Sequence, residues 1–143
     1  YFLPSDARKE FRLMTTNAFT NYLENKIMAY VFSGTAYSSP SSSLYVGLFT
    51  AAPGEGGGGT EVSGNGYNRK QATMTTTDNA STNSGAIEFD TATGSWGTIT
   101  YVGVFDASTS GNLLAYGELT TSKAIGTGDV FRIPAGDLDI TLE

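Results

Sequence analysis

Two residue types are missing from this 143-residue chain, which has no cysteine and no histidine. Without cysteine there is no disulfide frame and no thiolate nucleophile. Without histidine the commonest general base near neutral pH is gone, and so is the commonest transition-metal ligand. Ser–His–Asp and Cys–His nucleophilic sites are excluded, as are ordinary zinc sites. Charge is scarce, at 15% of residues against the usual quarter. The longest apolar run is only a few residues, so nothing reads as a membrane span. Residues 1–13, YFLPSDARKEFRL, lack the apolar centre of a secretion signal.

What is present is glycine, at 18 residues, with serine and threonine filling much of the remainder. The length suits a single core. Many short strands joined by small, polar turns give this composition, so the expected fold is mostly β. Charge is unevenly spread. Residues 1–26 carry Arg8, Lys9, Arg12 and Lys26 against Asp6, Glu10 and Glu24, a net of +1. The rest carries four basic and eleven acidic residues, a net of −7. Such a body repels nucleic acid, which needs clustered Lys and Arg to displace counterions. Arg69–Lys70 is its one basic spot and reads as a solvated strand face. Neither nucleic acid nor membrane is an expected partner.

Along the chain, residues 1–15 read as an N-terminal arm, 16–34 as a helix and 35–143 as a β-sandwich domain. Met14 heads MTTNAFTNYLEN, a natural translation start, which leaves the preceding residues as a segment that orders against a partner. Tyr1, Phe2, Leu3, Arg8, Phe11 and Arg12 are its candidate assembly residues. The helix is expected over Thr16–Phe32, with Phe19, Leu23, Ile27 and Tyr30 (with Val31) forming one apolar stripe at three- and four-residue steps. Thr15 or Thr16 would cap it and Gly34 would end it. The stripe packs either on the sheet or on equivalent helices in a trimer. Strands are expected at 44–50, 66–74, 86–90, 98–106, 112–120, 129–134 and 138–143, with 75–85 a polar loop. Seven or so strands at this spacing suit an antiparallel β-sandwich or jelly-roll-like domain.

The stretch LYVGLFTAAPGEGGGGTEVSG raises the question of a phosphate cradle, because Gly54, Gly56 and Gly59 satisfy G-x-G-x-x-G after a strand. That motif works only if a helix follows, and TEVSGNGYNRK has no helical spacing. Laid on the other phosphate loop, the glycines lead to Thr60 where a lysine is required. The segment reads as a flexible turn between strands, displayed on an outer face. Carboxylates at alternate strand positions, Glu88 with Asp90 and Asp137 with Asp139, have glycosidase-like spacing, but any half-exposed strand shows the same pattern. Asp106 and Glu118 are lone candidates. Asp129, Asp137 and Asp139 could offer oxygen to calcium, though no ligand loop is recognisable. Tyr45, Tyr67, Trp96, Tyr101 and Tyr116 could form a sugar platform, and packing is the ordinary use of strand aromatics. No catalytic residue, cofactor or metal is expected.

The order of NYLENKIMAYVFSGTAY, LYVGLFTAAP, GTEVSGNGY, WGTITYVGVFD and FRIPAGDLDITL resembles a family of small tailed-phage virion proteins, over roughly residues 17–142. Members are often labelled tail fibre proteins, and some are similar to the cement proteins that decorate capsids. The resemblance implies a non-enzymatic β-rich unit that assembles, as a homotrimer, with major capsid protein or tail proteins. It favours a cement role on the capsid exterior, with a tail fibre or receptor-binding role as the alternative and an extracellular filament subunit after it. The tail reading expects Trp96 or Tyr67 exposed at the trimer tip. Family members usually start near the helix, so the first thirteen residues are a departure.

Overall fold

Two strands share one pattern, Tyr45-Val46-Gly47-Leu48-Phe49 and Tyr101-Val102-Gly103-Val104-Phe105. In the computed structural model, which describes residues 19–142, they lie side by side at the centre of the main sheet. The first is β1 (Leu44–Ala51) and the second belongs to β7 (Gly97–Phe105). They run antiparallel with Gly47 opposite Gly103, Tyr45 opposite Phe105 and Phe49 opposite Tyr101, so the pattern meets its own reverse. Alternation then sends Val46, Leu48, Val102 and Val104 to one face and Phe49 and Phe105 to the other. The glycine pair makes room for the rings. A Cβ on Gly103 would stand 2.9 Å from the Phe49 ring, and one on Gly47 would stand 2.9 Å from the Phe105 ring. The two rings stack across that gap at 6.0 Å.

The remaining strands are β2 (Thr60–Glu61), β3 (Lys70–Ala72), β4 (Met74–Thr77), β5 (Ala80–Asn83) and β6 (Ile87–Glu88), then β8 (Leu113–Ile125), β9 (Arg132–Ile133) and β10 (Asp139–Thr141). The main sheet has the order β2-β1-β7-β8, with β3 also on β1. A three-stranded sheet, β10-β5-β4, and a two-stranded sheet, β6-β9, complete the set, and all pairings are antiparallel. The main core forms between them. Val46, Leu48, Val102 and Val104 from the main sheet meet Ile87, Phe89, Phe131, Ile133 and Leu138 from the others. This is the mostly β, antiparallel, sandwich-like architecture expected from the sequence, with one helix near its start. That helix is α1 (Asn21–Ser33).

Three local expectations are corrected. Residues 75–85 are not a loop: β4 and β5 form a hairpin whose turn carries Asp78 at φ 54°. Threonines favour strands, and this small sheet is wet on one side, so a polar sequence suffices. Strand β8 runs to Ile125, through TTSKAI, because it pairs with the full length of β7 back to Gly97. The helix starts five residues later than Thr16. Thr20 caps it, and Phe19 stands outside it in an antiparallel bridge to Ala115. Phe19 packs against the main core, which a place on α1 would deny it. Gly34 ends the helix in the left-handed conformation, as expected.

Candidate functional site

Among the described residues, the hydrogen bonds that join helix α1 to the strands of the body lie at its foot. The Thr20 hydroxyl donates to the Leu113 carbonyl at 2.6 Å, and the Thr20 N–H donates to the Leu114 carbonyl at 2.9 Å. The same oxygen accepts the Leu23 N–H, so one threonine caps the helix and ties it to the start of β8. Asn21 N–H donates to the Glu55 carbonyl at 3.0 Å, which fixes the glycine-rich turn to the first residue of α1. That turn closes by Gly57 N–H to the Gly54 carbonyl, with Gly54, Gly57 and Gly59 at positive φ. It connects β1 to β2 as expected, but it is pinned rather than simply displayed. It lies over the second apolar cluster, Phe49, Phe105, Leu113 and Tyr116, and a Cβ on Gly57 would be 3.9 Å from Leu113. A cleft of about 430 Å³ remains between turn, helix foot and the Gly111–Asn112 corner.

Beyond its foot α1 buries nothing. Ile27, Met28, Tyr30, Val31 and Phe32 all face solvent, Phe32 with 75% of its surface open. Of the expected stripe, Leu23 is half-buried, Ile27 and Tyr30 are exposed, and Phe19 belongs elsewhere. The helix therefore does not use its stripe on this sheet. The expected arm residues Tyr1, Phe2, Leu3, Arg8, Phe11 and Arg12 lie outside the described residues.

The polar residues that stood out in the sequence hold the body together. Arg69 is not on a solvated face. Its guanidinium makes two 2.8 Å bonds to the Glu61 carboxylate, donates to the Ala107 and Ser110 carbonyls, and lies 3.3 Å over the Phe105 ring. One side chain thus joins β2, the chain before β3 and the β7–β8 connection. The Tyr67 hydroxyl donates to Glu61 at 2.8 Å and accepts the Leu48 N–H at 2.9 Å. Burial, with the Glu61 carboxylate adding to it, pushes that phenol far above the usual tyrosine range. Burial and then the nearby Glu55 carboxylate raise Tyr116 as well.

The candidates for chemistry do not converge. Glu88 pairs with Arg132 across β6–β9, and Asp90 pairs with Lys70. Asp106 accepts two bonds from Asn112 and closes the β7–β8 connection. Asp129 accepts the Gly126 N–H in a turn. Among the described residues no three acidic groups gather as a metal site, so Asp129, Asp137 and Asp139 form no calcium site. The sugar platform is not assembled either. Trp96 is 4% exposed, donates to the Asn65 carbonyl and packs edge-on against Tyr67 and Phe89. It is a core anchor, so it cannot serve as an exposed tip.

Two features escaped the sequence reading. The hub at Arg69 gives no signal without the pairing of β1 with β2 and β3. The repeated Tyr-Val-Gly-x-Phe could have been found, and it locates the central strand pair.

The comparison with curated proteins yields no match. A family model described as Podophage GP4 fiber I protein gp80 matches residues 18–141, 124 of the 143. The match begins beside Phe19 and takes in α1, the glycine-rich turn, both copies of the shared strand pattern and β10. The chain therefore belongs to the family of the podophage fibre I protein gp80.

Proposed function

We propose that this chain is a structural subunit of a phage tail fibre, and that it works by assembling. The family is one of phage fibre proteins, so its members are virion structural components. One observation carries the assembly: α1 projects from a well-packed body with no buried residue and five large apolar side chains in water. Together they leave on the order of 600 Å² open, the top of what a monomer usually leaves in one patch. That approaches one partner's share of a standard interface. A second copy of the same helix is the partner that matches this length and pattern. The row Leu23, Ile27, Tyr30 and Val31 forms the shared seam, and copies join as a homotrimer. The body beside each helix is then displayed outward.

The family description supports the tail over the capsid exterior, where the same trimer would act as cement. Nothing in the assembly requires catalysis, metal or nucleic acid. Mass photometry and sedimentation test the first part. The full chain is expected near 45 kDa, three times 15.0 kDa, and Ile27→Ser with Tyr30→Ser is expected to be monomeric with an unchanged body melt. A wild-type chain that stays monomeric at about 100 µM, far above the dissociation constants of stable interfaces, sinks the seam. Cryo-electron microscopy of virions tests the second part, since density confined to the head would replace the fibre by the cement role.

A further inference from the structure

A seam of Leu23, Ile27, Tyr30 and Val31 uses one strip of α1, and the helix is not uniformly polar on either side of that strip. At about 100° per residue, Glu24, Met28 and Phe32 line up on one flank of it, and Tyr22, Lys26 and Ala29 on the other. Glu24 is exposed at the lower end of the first flank, and above it Met28 and Phe32 leave 56% and 75% of their surface open. The second flank is built differently. Gly34 ends the helix, the Thr35 N–H donates to the Ala29 carbonyl at 3.0 Å, and the chain turns back beside α1. Tyr22, Lys26, Ala29, Ala36 and Tyr37 then border a groove of about 340 Å³, open to solvent and walled mainly by apolar groups. The Lys26 ammonium stands 5.4 Å from the centre of the Tyr22 ring, at the lower end of that groove. One helix thus carries a ridge and a groove whose order along the axis matches, acid below large apolar groups on the ridge and ammonium below apolar walls in the groove.

We propose that the Met28–Phe32 ridge of each copy seats in the Tyr22–Ala29–Tyr37 groove of the next, with the Glu24 carboxylate against the neighbour's Lys26 ammonium. This interface rests on the trimeric reading of α1 and names the contacts that set its geometry. The occupant of the groove is a second copy because the two flanks complement each other in charge and in the height of their apolar groups. Matching them at one height requires the helices to run parallel. An antiparallel pair would set ridge on ridge and carry Glu24 against the apolar tip. Each copy gives its ridge to one neighbour and its groove to the other, the head-to-tail arrangement that closes a ring. Met28 and Phe32 lie outside the seam row, and without this contact they would stay in water after assembly.

The absence of cysteine lets each flank be tagged alone. Full chains carrying only Phe32→Cys are co-expressed with chains carrying only Ala36→Cys, and the mixture is treated with a short bismaleimide. A covalent dimer with one chain of each kind, identified by mass, is expected, while either variant alone should give only traces. Charge exchange reads the lower end of the interface. Glu24 and Lys26 are two residues apart and do not face each other on one helix, so rescue between them reports a contact between copies. Glu24→Lys and Lys26→Glu are each expected to raise the concentration of half-assembly about tenfold, because the altered pair recurs at every contact of the ring. The double exchange is expected to return it close to the wild-type value. Sedimentation of the wild-type chain separates the two readings. A chain that stays monomeric at about 100 µM removes the trimer and this interface with it. A trimer that gives no mixed cross-link, or whose double exchange assembles no better than the single ones, overturns the ridge-in-groove interface and leaves the trimer standing.

Discussion

Tyr67 shows how much one side chain carries. Its hydroxyl sits between the Glu61 carboxylate and the Leu48 N–H, beneath the Arg69 guanidinium network. A buried phenol next to a carboxylate cannot ionise cheaply, so its folded pKa lies above the ordinary value of 10. The sign of the pH effect follows. Below about pH 10 both folded and unfolded chains keep the proton and Tyr67 adds no slope. Above it the unfolded chain releases the proton while the folded chain holds it, so stability falls, by about 1.4 kcal/mol per pH unit from this group. Tyr116 and Tyr37 are shifted the same way and add to the slope. Urea melts between pH 8 and 11 should show a flat region and then a decline. Tyr67→Phe should be less stable at pH 8 by about 1–3 kcal/mol, having orphaned two partners. Its decline above pH 10 should be shallower by one proton's worth. An identical slope in the variant would mean that Tyr67 ionises as freely folded as unfolded.

At the scale of elements, the glycine-rich turn separates two kinds of glycine that look alike in the sequence. Gly59 has φ +79°, and a Cβ there would lie 2.7 Å from the carbonyls of Ala51 and Ala52. Gly56 has no such φ, and a Cβ would meet nothing within 4 Å. Gly59→Ala should therefore cost at least about 2 kcal/mol, from a left-handed backbone and a backbone clash together. Gly56→Ala should be neutral or stabilising by up to about 1 kcal/mol, because it restricts the unfolded chain. Thermal melts of the two variants should shift in opposite directions or differ by several degrees. Equal melting points would remove the distinction. The contrast also marks what the sequence could tell. Glycine's role as turn-former was legible in GEGGGG, and the failed phosphate motif was rightly set aside. Which glycine is indispensable was not legible, because that depends on where Pro53 and its neighbours lie in space. The same division runs through the chain. A short run apolar on both faces located β1, alternation located β7, and three- and four-residue spacing located α1. The start of α1 was missed because Phe19 and Thr20 answer to β8, 93 residues and more away in sequence. The β4–β5 hairpin was missed because a small wet sheet needs little apolar residue. The apolar stripe of α1 was legible as a stripe; that Ile27, Tyr30 and Val31 face water and not the sheet was not.

At the scale of the whole molecule, stability is distributed unevenly. The centre of the main sheet has both faces covered, with valines and leucines beneath and stacked rings above. No residue of α1 is buried. Local opening free energies follow such differences in burial. In the monomeric Ile27→Ser/Tyr30→Ser variant, amides in the centres of β1 and β7 should exchange slowest, by global unfolding. Those of α1 from Lys26 onward should exchange within the first time points. If copies assemble through α1 as proposed, the wild-type helix amides should slow by orders of magnitude while the sheet changes little. A helix equally slow in both would mean that its order does not come from other copies.

The tie at Thr20 has a mechanical meaning for a subunit attached at one end. On the proposed assembly, tension entering through the helices passes into each body at the first two carbonyls of β8 and at the Glu55 carbonyl, beside the connecting backbone of residues 34–43. From there it spreads across the long β7–β8 ladder, whose many rungs share the load. The few bonds at the helix foot form the weakest joint in that path. Under load the body should detach from its stalk as an intact module, and the connector of residues 34–43, which joins α1 to β1, would act as a short slack tether before any strand gives way.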